Sequence, residues 1–86
     1  MSLSSQAASR KKQETQKRIT TLEKEIAGLE AQERTLAAEL EKPETYHSGG
    51  RATQINRELL VVSDRLPVVT AQWEAACAAL AALDAE

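Results

Sequence analysis

Phenylalanine is missing from this chain of 86 residues, and tyrosine, tryptophan, histidine and cysteine occur once each. Each scarcity excludes something. One cysteine, Cys77, rules out an internal disulfide and a cysteine-based metal site. It sits beside an apolar seam, where it reads as a small, half-buried packing residue rather than a reactive thiol. One histidine, His47, lies among turn residues without a second ligand beside it, so no metal site is expected. The acids are many but scatter over outer helix positions as a solvated face, and no pair is held in a concavity. No G-x-x-x-x-G-K-[ST] loop occurs to cradle phosphates, and Gly49-Gly50 alone is a turn. No enzyme and no cofactor are expected. No apolar run approaches the roughly 20 residues of a membrane span, so no membrane partner is expected. The start, Met1-Ser-Leu-Ser-Ser-Gln, lacks the charged and apolar regions of a signal peptide. Met1-Ser2-Leu3 reads as an expression-vector remnant and the chain as a fragment of a longer protein, with a cytoplasmic origin as the default.

What is present is Ala, Glu, Lys, Leu and Arg, the composition of long helices and coiled coils, with a net charge of −2. Two heptad stripes carry the apolar residues. The first runs Ile19, Leu22, Ile26, Leu29, Glu33, Leu36, Leu40. Its steps alternate three and four, so Ile19, Ile26, Glu33 and Leu40 are a positions, and Leu22, Leu29 and Leu36 are d. The second has Leu59, Leu66, Trp73 and Leu80 at a, and Ile55, Val62, Val69, Ala76 and Leu83 at d. A 3.5-residue repeat wraps helices on each other. Two helices joined by the short turn Pro43-Glu-Thr-Tyr-His-Ser-Gly-Gly50 pair antiparallel. The fold class expected is therefore all-α, a two-helix antiparallel coiled-coil hairpin with a Pro/Gly turn.

The register follows, because antiparallel pairing sets a layers against d layers. Residues whose numbers sum to 95 do this throughout: Leu40 with Ile55, Leu36 with Leu59, Leu29 with Leu66, Ile26 with Val69, Leu22 with Trp73, Ile19 with Ala76. Trp73 is thus expected as a buried anchor. Glu33 faces Val62, and the helix should turn there to let the carboxylate reach water. Beyond Ile19 the stripe thins, with Thr15 against Leu80 and Lys12 against Leu83. The expected organisation is a leader over 1–8, disordered or vector-derived; helix 1 over about 9–42, with Ser9 as N-cap; a turn over 43–50, with Tyr46 folded back as a lid; and helix 2 over about 51–83. Pro43 stops helix 1. Gly49 and Gly50 allow positive φ. Pro67 should kink or break helix 2, and its partner level in helix 1 is Gly28, so a bend near mid-hairpin is expected.

Charge is uneven. From Arg10 to Lys24 there are six cations (Arg10, Lys11, Lys12, Lys17, Arg18, Lys24) against Glu14 and Glu23. Arg10, Lys17 and Lys24 share one face, with Lys11 and Arg18 beside them. Such a strip can track nucleic-acid phosphates, each contact adding salt-dependent affinity. Without interleaved aromatics it reads backbone rather than base. The competing reading is an ordinary solvated helix start neutralised by Asp84 and Glu86. Arg51, Arg57 and Arg65 are a second choice, interrupted by Glu58 and Asp64. Leu60, Val61 and Val68 fall on the outside of helix 2, extended by Ala71, Ala75, Ala78 and Ala82. Either the helix leans to bury some of them, or they form a docking face for a second copy or a parent protein.

Leu22-Glu-Lys-Glu-Ile26, Leu40-Glu-Lys-Pro-Glu-Thr-Tyr46, Glu58-Leu59 and Trp73-Glu74, in this order, resemble the C-terminal coiled-coil domain of ABC-F ATPases of the Uup-like and YheS-like kinds. That domain has a basic lead-in, a Leu-x-x-Pro-x-x-Tyr hairpin turn and a late Trp-Glu. The resemblance covers about residues 10–84. Pro67, Gly49-Gly50 and a weaker acidic periodicity depart from the pattern. The resemblance implies a bacterial cytoplasmic protein with tandem ATPase domains upstream, and a nucleic-acid or ribosome contact. Two rivals stand beside it: a protein–protein docking or dimerisation coiled coil, and a tRNA-contacting coiled-coil arm of a synthetase.

Overall fold

The computed structural model describes the backbone of residues 3–47 and 49–85. Helix α1 spans Leu3–Leu40, a short 310 turn spans Pro43–Tyr46, and helix α2 spans Arg51–Asp84. The two helices lie against each other along a rod of 68 × 15 × 15 Å. The expected all-α hairpin is what the chain forms.

Its seam falls into two clusters that keep the derived register. Nearer the turn, buried Leu36, Ile55 and Val62 pack with Leu29, Leu40, Leu59 and Leu66. Towards the open end, buried Leu22, Val69 and Ala76 pack with Ile19, Ile26, Leu29 and Trp73. Both members of each apolar pair summing to 95, from Leu40/Ile55 to Ile19/Ala76, fall in the same cluster. Glu33 is half-buried opposite Val62, which is 2% exposed. Among the described residues no buried side-chain nitrogen or oxygen lacks a partner, so the carboxylate does reach water. Trp73 differs from expectation. It is half-buried, and its indole N–H donates to Glu23 Oε2 at 3.2 Å. An indole at the flank of a two-helix seam keeps its polar edge outward.

The helix boundaries follow from local chemistry. α1 begins six residues before Ser9, which is an interior helical residue and not a cap. Leu3-Ser-Ser-Gln-Ala-Ala8 holds no proline or glycine to stop a helix, and serine costs only tenths of a kcal/mol. Met1 and Ser2 lie outside the described residues. At the other end, Lys42 is extended (φ −83°, ψ 125°), as a residue before proline must be. The last carbonyls of α1 are then satisfied one by one. Glu41 N–H donates to Ala38 O and Lys42 N–H to Glu39 O, at 3.2 and 3.1 Å. The Thr45 hydroxyl also donates to Glu39 O, and the Tyr46 hydroxyl to Leu40 O at 2.6 Å.

Here the expectation for Tyr46 needs correcting. Its hydroxyl turns back, but its ring is 63% exposed; the residue buried beneath the turn is Thr45, at 6%. In the 310 turn the two neighbours point different ways, and the smaller one fits inward. Of the two turn glycines only Gly50 takes positive φ, 85°, and its carbonyl accepts from Gln54 to start α2.

α2 runs through Pro67 without a break. A second correction concerns composition. α2 is long and apolar enough to cross a membrane, by length and hydropathy alone. Between Leu66 and Leu83 the only charged residue is Glu74. Thr70 and Gln72 interrupt the run, which is why it does not read as one apolar stretch.

Candidate nucleic-acid interface

The strip predicted from charge is placed by the heptad frame of α1. With Lys12 and Ile19 at a, residues Arg10, Lys17 and Lys24 occupy f, the outermost row, about 10.5 Å apart at seven-residue spacing. Lys11 and Arg18 occupy g, at the edge of the seam. Arg10, Lys11, Lys17, Arg18 and Lys24 are all exposed. Lys12 stands apart at a, half-buried, its Nζ 3.4 Å from Asp84 Oδ1. So one of the six predicted cations is neutralised across the helices as the bland reading expected. Among the described residues the other five make no ion pair. Glu86, the second acid invoked there, lies outside the described residues.

The g row distinguishes this strip from an ordinary charged surface. In an antiparallel coiled coil the g positions of the two helices flank the same edge of the seam. Nearer the turn two of three g pairs are closed by ion pairs, and the one between them sets Gln32 against Glu58. Arg51 Nε and Nη2 both reach Glu39 Oε2, at 3.1 and 2.6 Å. Arg65 Nε and Nη2 both reach Glu25 Oε1, at 3.1 and 2.9 Å. The numbers of each pair sum to 90. Continued towards the open end, the rule sets Arg18 against Gln72 and Lys11 against Ala79. These four residues do line one groove, floored by Ala75 and Ala76. The same edge carries one unmatched acid, Glu58, near the turn and two cations at the open end, where Glu14 of α1 is the one acid lining the groove and α2 carries no cation or acid at its last two g positions.

These pairs also correct the sequence reading. Glu25 and Glu39 belong to interhelical forks, not to a solvated face. Arg51 and Arg65, second-choice contacts, are engaged in them. The signal was present: all four residues are g positions at one constant sum. Among the described residues no cluster of three or more His, Cys, Asp or Glu suits a metal ion. Cys77 is free and half-buried. His47 is exposed in the turn.

A family model described as the ABC transporter C-terminal domain matches residues 9–76, well over half the chain. No curated protein and no solved structure gives a significant match. The match begins within one residue of the first cation of the strip and takes in the turn and both seam clusters.

Proposed function

Since the chain belongs to the ABC transporter C-terminal domain family, we propose that it serves an ATP-binding parent protein as a non-catalytic coiled-coil arm whose basic strip contacts a nucleic-acid backbone, DNA or ribosomal RNA. The observation that carries this reading is the uncompensated g edge. Arg18 and Lys11 face Gln72 and Ala79 where the two preceding g cations face glutamates. Together with the f row they present five exposed cations along about 21 Å of helix, a length set by the 1.5 Å rise over residues 10–24. Nothing aromatic stands among them, so contact is through phosphates and tolerant of sequence. The ATPase domains of the parent would supply the chemistry, and the arm would supply position. The family assignment lends nothing to the synthetase-arm alternative.

The test is a titration of labelled duplex DNA and of structured RNA at low and moderate salt. The wild type is compared with a variant carrying Lys11, Lys12, Lys17 and Arg18 all changed to Gln. The wild type should bind weakly, with affinity falling steeply as salt rises, and each lost phosphate contact should reduce the salt slope by about 1. No binding by the wild type, or equal binding by both, rejects the proposal.

A further inference from the structure

A second seam runs along the outside of α2. Val61, Asp64, Val68, Ala71, Ala75 and Ala78, continuing to Ala82, repeat the alternation of three and four that builds the internal seam. All seven are exposed. Leu60, at its edge, is 62% exposed, Val61 68% and Val68 47%. The expected alternative, that helix 2 leans to cover these aliphatics, is not what the hairpin does. A heptad repeat that α1 leaves exposed, touching it only at the groove beside Ala75, is suited to another helix.

We propose that this face pairs with the same face of a second copy of the chain, α2 antiparallel to α2, around a twofold axis. The direction follows from size and charge. The seam's large and charged members, Val61, Asp64 and Val68, all lie in the half near the turn, and the other half is alanine. In a parallel pair Asp64 would meet Asp64 and valine would meet valine, leaving the alanine half underfilled. In an antiparallel pair the two rows alternate across the seam, as in the hairpin. Residues summing to 146 then face each other: Val61 with Ala85, Val68 with Ala78, Ala71 with Ala75. Each large residue meets a small one, and Asp64 meets Ala82 instead of a like charge. From Leu66 to Asp84 α2 has no cation, so Arg65 of one copy, opposite Ala81, also meets no like charge in the other. The contact is a strip about 32 Å long on one helix, at the small end of specific interfaces, so association is weak and concentration-dependent. The basic strip lies on α1, but Ala75 belongs both to this seam and to the groove of Lys11 and Arg18, so a second copy would stand beside that groove; the pairing is tested without nucleic acid.

Sedimentation equilibrium over a concentration series tests it with two exposed substitutions, Val68→Lys and Ala78→Glu. The wild type should pass from monomer to dimer. Each variant alone should associate about tenfold more weakly or worse, since a charge then sits inside a small apolar strip. An equimolar mixture should recover association, because the lysine introduced in one chain faces the glutamate introduced in the other. Circular dichroism should show unchanged helicity in both. A wild type that stays monomeric up to its solubility limit overturns the proposal, including one that instead binds phosphatidylcholine vesicles. Dimers that survive both substitutions overturn it too, and mixed variants that fail to associate overturn the antiparallel pairing.

Discussion

The two ends of the hairpin are built by opposite rules. Next to the turn, the seam has Ile55 at 0% exposure and Val62 at 2%, two of the three g pairs are closed by two guanidinium N–H groups on one carboxylate oxygen, and the carbonyls ending α1 are capped by Thr45 and Tyr46. At the open end the seam contains Lys12 and Thr15, which leave Leu83 and Leu80 opposite them without apolar partners, and one exposed ion pair, Lys12–Asp84, crosses between helices. Order is concentrated where the chain reverses, and contacts between residues close in sequence carry the least loop-closure cost. Unpaired charge is concentrated where little structure depends on it. A two-helix domain has so small a core that it can hardly place both functions in one stretch.

The sharpest way to break this comparison is to make a cavity at each end. Ile55→Ala should cost about 3 kcal/mol, within the usual range for truncating a fully buried aliphatic. Leu80→Ala, at a half-buried position facing Thr15, should cost about 1 kcal/mol. Urea denaturation followed by circular dichroism reads both. Equal losses would mean that the hairpin is uniformly stabilised and that the division into a structural and a functional end is wrong.

How far sequence reasoning reached follows the same division. The a/d stripes and their sum of 95 were readable because every layer had a consistent partner, and the two core clusters keep that register. Polar detail was harder. By residue type alone Glu25 and Glu39 read as solvent-facing, as acids on helices usually are; their constant g relation to Arg65 and Arg51 becomes visible only once the register is fixed. The choice between Thr45 and Tyr46 as the buried turn residue depends on the pitch of a four-residue 310 turn, which residue types do not determine. Hydrophobicity placed Trp73 inside, while its N–H kept one edge out beside Glu23. Five of the six cations lie exposed on the f and g rows, and Lys12 lies apart at a. That one is neutralised by Asp84 and five are not required the other helix.

Trp73 sharpens the middle of the comparison. It is half-buried against the cluster of Leu22, Val69 and Ala76. Trp73→Ala should cost about 2 kcal/mol, less than the 3–5 typical of a fully buried ring. Its native fluorescence should be only moderately blue-shifted and partly quenchable by acrylamide. A deeply blue-shifted, unquenchable signal would place it in the core instead.

Two glycines give effects of opposite sign and smaller size. A Cβ at Gly28 meets nothing within 4 Å on an exposed helix face. Gly28→Ala should therefore stabilise the hairpin by about 0.5–1 kcal/mol through helix propensity alone. Gly50 also has space around it, but its φ of 85° is strained for an L side chain. Gly50→Ala should destabilise by about 1 kcal/mol. Thermal melts of the two variants should shift in opposite directions; a common direction would show that space, not backbone conformation, decides at the turn.

The smallest stability change is expected where the largest binding change is. Replacing Lys11, Lys12, Lys17 and Arg18 by Gln removes four cations and breaks one ion pair, Lys12–Asp84, whose side chains are 39% and 63% exposed. Exposed pairs of this kind contribute about 0–1 kcal/mol. Glutamine is as good a helix former as lysine or arginine. Lys11 and Arg18 face Ala79 and Gln72 across the groove, so no buried partner is orphaned by their loss. The midpoint of urea unfolding should thus move by less than that of Ile55→Ala, and its direction is open to the relief of repulsion between neighbouring cations. If the same variant instead unfolds the open end, the strip is part of what holds the helices together, and any loss of nucleic-acid binding in it would report unfolding. If stability holds and binding falls, the five free cations are there for a partner.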